Sequence, residues 1–231
     1  GNFTLTSGAT LTQHMLVFAQ GVNKVYDGNT SASLAFKGTP ALGGDVTLLP
    51  GVAAFDSKDV AANIGITYSG YTLGGADANL FALWAACVPG IARTSAAITP
   101  RPMSILANDA SKVYGQVFTP ASSAFTTPVP PLVGETVLSV TEVSPGSPAS
   151  AAVGSYPITP SAALANGAFL PANYTITYLP GALLVNPAPL TITANNAAKT
   201  FGQTAVLPPT AFTSVGLVNG DSVTSVLETS P

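Results

Sequence analysis

The carboxylates between residues 56 and 77 are the best candidates for a metal site in this chain. Asp56 and Asp59 lie in FDSKDVAAN, and Asp77 lies in GADAN. Calcium needs several clustered oxygen ligands, which such carboxylates supply. However, the two segments flank the same predicted strand, and Asp in turns usually bonds its own backbone. The sequence therefore offers calcium only weak candidates, and it predicts no metal and no other cofactor.

Catalytic side chains are scarce. His14 is the only histidine and Cys87 the only cysteine. A nucleophile–base pair could use no other histidine, and a structural zinc site needs more ligands than these two. No glycine-rich phosphate-binding motif follows a strand. We expect a structural role for His14, no catalytic residues and no enzymatic activity.

Trp84 is the only tryptophan, and it lies in the apolar segment LFALWAACVPGIARTS at 80–95. A ring of this size most simply covers one end of a folded module. Exposed aromatic faces also stack on sugars and contact other proteins. The 80–95 segment is therefore a candidate contact for a host or matrix glycan or a protein.

A lysine–aromatic–glycine motif occurs three times, in NKVYDG, SKVYGQ and AKTFGQ. Its residues are Lys24, Tyr26, Gly28, then Lys112, Tyr114, Gly115, then Lys199, Phe201, Gly202. The aromatic residues are 88 and 87 positions apart, and VLSVTEVSP at 137–145 returns 86 positions later as VTSVLETSP. A period of that length is the size of a small domain, so the sequence predicts tandem modules.

The residue types of the motif indicate packing. The aromatic side chain can turn inward, the glycine can take a positive φ, and the lysine stem can lie on apolar surface with its amine in water. Phe201 stands where the other copies have tyrosine, so no hydroxyl is essential.

Strand patterns dominate the chain. In LTITA, Leu190, Ile192 and Ala194 alternate with threonines, as in a strand with one buried face. Gly and Pro total 42 and fall between such runs. These features predict an all-β fold of tandem small antiparallel β-sandwich modules. The alternative is a β-grasp-like module with one short helix, for which SAALANGAF at 161–169 could supply a turn.

Proline pairs at Pro100–Pro102 and Pro187–Pro189 mark the predicted boundaries. The expected segments are the end of a preceding module at 1–20, modules at 21–100 and 101–186, and the first half of another at 187–231. Residues before proline are extended, so the joints should be stiff and the array elongated.

The two ends resemble parts of complete modules. NFTLTSG at 2–8 matches NYTITYLPG at 173–181, and Pro231 matches Pro145. Strands left without neighbours seek new ones. We therefore expect Val223–Leu227 or Phe3–Leu5 to pair with another part of the chain, or head to tail with another copy.

The composition excludes two classes of partner. Only 7% of residues are charged and the seven Lys and Arg are scattered, so no basic patch is available for nucleic acid. The longest apolar run, at 80–92, is interrupted by Pro89 and Gly90 and is too short to span a membrane.

These residues resemble two known families. NKVYDGNTSASL at 23–34 and FDSKDVAANIGITYSGYTLGGADANLFAL at 55–83 resemble the YDG module of large filamentous-haemagglutinin-like bacterial adhesins. ANDASKVYGQ at 107–116 and ANYTITYLPGALLVNPAPLTITANNAAKTFGQ at 172–203 resemble the MBG module of the YGX type. The 80–95 segment departs from the YDG pattern.

The resemblance implies a stalk or adhesive repeat of a surface protein, exported by two-partner secretion from a Gram-negative bacterium. It implies a role in cell adhesion or biofilm formation at the cell surface, and no catalytic residues.

Overall fold

A computed structural model describes residues 14–38, 45–84 and 92–229. Its contacts divide the chain into two compact units. The first comprises Gly1–Pro102, Leu132–Gly134 and Leu170–Thr175, and the second comprises Met103–Pro131, Glu135–Phe169 and Ile176–Pro231. The finer division into four segments stays a prediction. No helix within the described ranges is long and apolar enough to cross a bilayer.

The first ten strands are short and separated by turns. They are β1 Met15–Val17, β2 Ala19–Gly21, β3 Lys24–Val25, β4 Leu34–Phe36, β5 Thr47–Leu49, β6 Val52–Phe55, β7 Ala61–Ser69, β8 Thr72–Gly74, β9 Phe81–Leu83 and β10 Ala92–Thr99. A 3-10 turn at Ala78–Leu80 precedes β9.

A four-stranded sheet in the order β3-β10-β7-β6 dominates the first unit, beside the pairs β1-β9, β2-β4 and β5-β8. Along β7 the side chains of Ile64, Ile66 and Tyr68 are buried, in the period-two pattern that the sequence predicts. A smaller cluster comprises Val17 of β1 with Phe81 and Leu83 of β9.

The remaining strands begin with β11, which follows Pro100 directly. They are β11 Arg101–Ala107, β12 Ala110–Val113, β13 Phe125–Val129, β14 Thr136–Val143, β15 Gly154–Asn166, β16 Tyr174–Leu179, β17 Gly181–Asn186, β18 Thr191–Ala194 and β19 Phe212–Val215. A 3-10 turn at Pro171–Asn173 precedes β16. The all-β class is confirmed.

The second unit repeats the sheet order of the first. Its sheets are β12-β17-β15-β14, β13-β11-β16 and the pair β18-β19. In both four-stranded sheets, the strand that carries the lysine motif lies at one edge and runs parallel to the last strand of the module. These pairs are β3-β10 in the first sheet and β12-β17 in the second. The other pairs of these two sheets are antiparallel. The repeat in the sequence is therefore a repeat of topology.

Two details differ from the sequence prediction. Among the strand pairs whose register is described, β1-β9, β3-β10 and β12-β17 are parallel rather than antiparallel. Each joins strands that lie far apart in the chain, as parallel pairing requires. In addition, the segment considered for a helical turn, 161–169, is extended as far as Asn166 because it belongs to β15.

The third copy reproduces backbone hydrogen bonds of the second. The Asn108 N–H donates to the Ala124 carbonyl at 2.8 Å, and the Asn195 N–H donates to the Ala211 carbonyl at 2.8 Å. These donors and acceptors are 87 positions apart. The strand pair β18-β19 is therefore the counterpart of β11-β13.

Val223–Leu227 forms no strand, although the Val226 N–H donates to the Pro209 carbonyl at 2.9 Å. The matching bond in the second copy runs from Val140 to Ser122. Val140 lies in β14, which pairs with β15. Within the described ranges the third copy has no counterpart of β15. Phe3–Leu5 lies outside the described residues.

Glu142 of β14 has a buried Oε1 without a hydrogen-bond partner in the described part of the chain, and so has Glu228, 86 positions later. Burial raises the pKa of Glu142, because the charged form loses solvation. The folded state therefore binds this proton more tightly than the unfolded chain does.

Glu142→Gln should change how stability depends on pH. With a raised folded pKa, the stability of the parent falls as the pH rises from the unfolded value, about 4.3, through the folded pKa. The neutral glutamine removes this fall, so the variant should be at least as stable as the parent at pH 7. Urea unfolding at several pH values measures the difference. An identical pH dependence in both proteins contradicts the assignment.

Candidate functional site

The motif strand is held in the same way in the two complete copies. In the first, the Tyr26 N–H donates to the Thr99 carbonyl at 2.9 Å. In the second, the Tyr114 N–H donates to the Asn186 carbonyl at 2.8 Å. Thr99 and Asn186 end the last strands, β10 and β17, and each precedes a proline. Each motif is thus fixed by the far end of its own module.

The three motif glycines have the left-handed backbone that the sequence predicts. The φ angle is 79° at Gly28, 92° at Gly115 and 82° at Gly202. A side chain at position 115 would also meet Val218 at 2.7 Å. Glycine is the residue that adopts such φ values without strain, so it sets the turn after each aromatic residue.

Lys112 is buried, which corrects the expectation that the amine lies in water. Only 6% of the residue is exposed. Its Nζ donates to the carbonyls of Gln116 at 2.9 Å, of Ser147 at 3.3 Å and of Pro148. A buried ammonium must satisfy its donors, and these carbonyls do so. The lysine therefore ties the motif loop to a turn some thirty-five positions further along the chain.

Lys24 closes a local loop instead. Its Nζ donates to Asp27 Oδ1 at 2.7 Å and to the Asn29 carbonyl at 2.7 Å, and lies 5.4 Å from the centre of the Phe55 ring. Burial opposes ionisation of Asp27, but hydrogen bonds from Lys24 and the Asn29 N–H outweigh it and lower its pKa. The same lysine position thus orders a different loop in each module.

The aromatic residues differ in burial. Tyr26 is fully buried and meets Tyr174 edge to face, with ring centres 5.6 Å apart. Tyr114 is half-buried, whereas Phe201 is fully exposed. The third copy has no counterpart of β10 or β17 within the described ranges. The predicted inward packing of the aromatic residue is therefore complete only for Tyr26.

Asn173 is a structural residue that the sequence analysis missed. It is 1% exposed, although its side chain is polar. Its Oδ1 accepts from the Val60 N–H at 2.9 Å, and its Nδ2 donates to Asp59 Oδ1 at 2.9 Å. All three belong to the first unit. The recurring Asn–aromatic start of NFTLTSG and NYTITYLPG was the available signal.

The calcium candidates do not converge. Asp56 pairs with Arg93, Asp59 with Asn173, and Asp77 Oδ2 accepts from the Asp45 N–H at 2.9 Å. Within the described ranges no group of three or more Asp, Glu, His or Cys could hold a metal ion. The structure therefore does not bring the three carboxylates together, because each one closes a separate turn or strand contact.

Trp84 is 47% exposed and stands beside Phe18, which is 45% exposed. Their ring centres are 5.8 Å apart and the rings are inclined by 30°. Val17 pairs with Leu83, and both are buried, whereas the residues that follow them are exposed. We call Phe18 and Trp84 the aromatic pair. His14 is exposed, and Cys87 lies outside the described residues.

Fold and motif together define a tandem repeat of all-β modules. Comparison with family models gives the two types. The YDG domain matches residues 12–83, and the MBG domain of the YGX type matches residues 103–184. The chain thus carries a YDG domain followed by a YGX-type MBG domain, as the resemblance predicts. No curated protein and no solved structure matches it significantly.

Tyr26→Ala should lower the free energy of unfolding of the first unit by about 3–5 kcal/mol, because a buried aromatic ring is removed. Phe201→Ala is the matched control and should change it by less than about 0.5 kcal/mol, because its ring is exposed. The loss of stability in Tyr114→Ala should be intermediate, because this ring is half-buried. Urea unfolding measures all three, and equal stability of the Tyr26 variant and the parent would show that the ring is not core.

Lys112→Met should destabilise the second unit by about 1–3 kcal/mol, because carbonyls that accepted from the ammonium lose their donor. Lys199→Met, at the exposed counterpart, should be close to neutral. Thermal unfolding of both variants tests this. If the two substitutions lower the stability equally, the hydrogen bonds of Lys112 to the three carbonyls contribute no specific stabilisation.

Proposed function

We propose that this chain is a stalk or spacer segment of a secreted bacterial adhesin. It holds an adhesive region away from the cell surface and supports cell adhesion or biofilm formation. The observation that carries the proposal is the repeat itself. The same four-stranded sheet order occurs in the two units, and the third copy repeats the β11-β13 strand pair.

The chemistry of the repeated motif supports this role. Lys24, Lys112 and Tyr26 hold loops and strands of their own compact unit through backbone carbonyls and a ring contact. Residues that recur for structural reasons are expected in a module that serves as one unit of a repeat array. The proposal therefore includes no enzymatic activity, and it places the protein outside the cell, exported by two-partner secretion from a Gram-negative bacterium.

Small-angle scattering tests the spacer role. A compact protein of 231 residues has a radius of gyration of about 17 Å. A spacer should exceed this value clearly and give a distance distribution with a long tail. A symmetric distribution at the compact value would contradict the proposal. Measuring a dilution series keeps self-association from being mistaken for length.

A second function is favoured by one observation, the aromatic pair. Two neighbouring aromatic rings, each almost half exposed, form a surface suited to stack on a sugar ring. The first unit would then bind a host or matrix glycan, or an apolar site on a protein, in addition to acting as a spacer.

Binding of the labelled chain to a glycan array tests this second function. Trp84→Ala and Phe18→Ala should each weaken binding about tenfold, which corresponds to about 1.4 kcal/mol. Phe201→Ala removes an even more accessible ring elsewhere and should leave binding unchanged. Absence of any bound glycan, or equal loss in all three variants, would eliminate the aromatic pair as a glycan site.

A further inference from the structure

Two of the motif glycines lie against an aliphatic side chain of the copy that follows. A Cβ placed on Gly28 would lie 3.1 Å from Leu132 Cδ1, and a Cβ placed on Gly115 would lie 2.7 Å from Val218 Cγ2. Gly28 and Leu132 both belong to the first compact unit, and Gly115 and Val218 both belong to the second. The missing side chain of each glycine leaves room for this close approach.

The two aliphatic residues occupy equivalent places in their copies. Leu132 comes 86 positions before Val218, the shift that also relates VLSVTEVSP to VTSVLETSP. Leu132 follows β13, and Val218 follows the counterpart strand β19. Two positions later each copy has a glycine with a positive φ, of 89° and 79° respectively, and an acidic residue comes next. We call the segments 132–135 and 218–221 the aliphatic loops.

Burial singles out the first residue of each aliphatic loop. Leu132 and Val218 are partly buried, whereas the residues that follow them, Val133 and Asn219, are exposed. Val133 is 105% exposed, although it is an apolar residue like its neighbour. Apolar character alone therefore does not account for the burial of Leu132, which goes with its position beside the motif turn.

Hydrogen bonds connect each aliphatic loop to the motif it contacts. In the first unit the Leu132 N–H donates to the Tyr174 hydroxyl at 3.0 Å, and the Tyr174 ring meets Tyr26 of the motif edge to face. In the second unit the Ala149 carbonyl accepts from the N–H of the motif glycine at 3.1 Å and from Asn219 Nδ2 at 2.9 Å. The linking groups differ, but the same two parts of the repeat are joined.

We propose that the motif turn of each complete copy is a docking site for the aliphatic loop of the copy that follows. The group it takes is a leucine or valine side chain that stands two positions before a turn glycine. The motif glycine is then required twice, for its positive φ and for the room above its Cα. A motif that only closed its own module would require the first property alone. The inference goes beyond the spacer role and does not rest on it.

Amide hydrogen exchange of the full chain, followed by NMR, tests the first contact. Leu132→Asp places a charge against the motif turn, so the hydrogen-bonded amides of Tyr26 and Asn29 should exchange at least about tenfold faster. Val133→Asp, at the exposed neighbouring position, is the matched control and should leave both amides unchanged. Leu132→Val should also leave them unchanged, because the equivalent loop uses valine.

A double-mutant cycle tests the second contact. Gly115→Ala adds a methyl group against Val218 and also strains a positive φ, whereas Gly202→Ala, at a φ of 82° with no described atom within 4 Å, adds strain alone. In urea unfolding followed at the amides of β15, Gly115→Ala should raise the unfolding equilibrium constant at least about tenfold more than Gly202→Ala. Val218→Gly should reduce the effect of Gly115→Ala.

Two results would each overturn the proposal. One is additivity of Gly115→Ala and Val218→Gly, because independent effects would mean that the two positions do not interact. The other is unchanged exchange at Tyr26 and Asn29 in a folded Leu132→Asp chain. If Leu132→Asp prevents folding, the cycle at Gly115 and Val218 decides the outcome by itself.

Discussion

Each complete module depends on a parallel contact between its motif strand and its last strand. The contacts β3-β10 and β12-β17 join residues that lie some seventy positions apart in the chain. In both, an aromatic N–H donates to the carbonyl that ends the last strand. The motif therefore cannot reach its final geometry before the whole module has formed. Such long-range contacts carry a high loop-closure cost, and they make the module cooperative.

The small number of charges explains how the lysines are used. Only 7% of the residues are charged, so carboxylate partners are scarce. Lys112 is satisfied by three backbone carbonyls, whose dipoles replace an acidic side chain. Lys24 combines Asp27 with the carbonyl of Asn29. Because carbonyls are present in every turn, this solution tolerates sequence change around the lysine, which suits modules that are copied and then diverge.

The aromatic pair is an exposed apolar surface in the first unit. Val17 and Leu83, which precede its two residues, are buried, whereas Phe18 and Trp84 are each almost half exposed. The exposure of the two rings is therefore not explained by a lack of apolar core nearby. Under the second proposed function, a ring-stacking ligand would bind at this surface.

The sequence by itself determined the local and repeating features. The period was readable because the motif recurs with its glycines, and the positive φ at Gly28, Gly115 and Gly202 follows from residue type alone. The alternation of β7 and the all-β class were likewise set by the spacing of apolar residues. These features depend on neighbours in the chain, so the sequence contains the needed information.

Tertiary structure decided what each repeated residue touches. Tyr26 and Phe201 occupy equivalent positions, yet one is buried and the other exposed. Asn173 reads as an ordinary strand start, but it closes a polar contact with Asp59 more than a hundred positions away. Burial and pairing depend on which distant segments meet, and local spacing does not encode that choice.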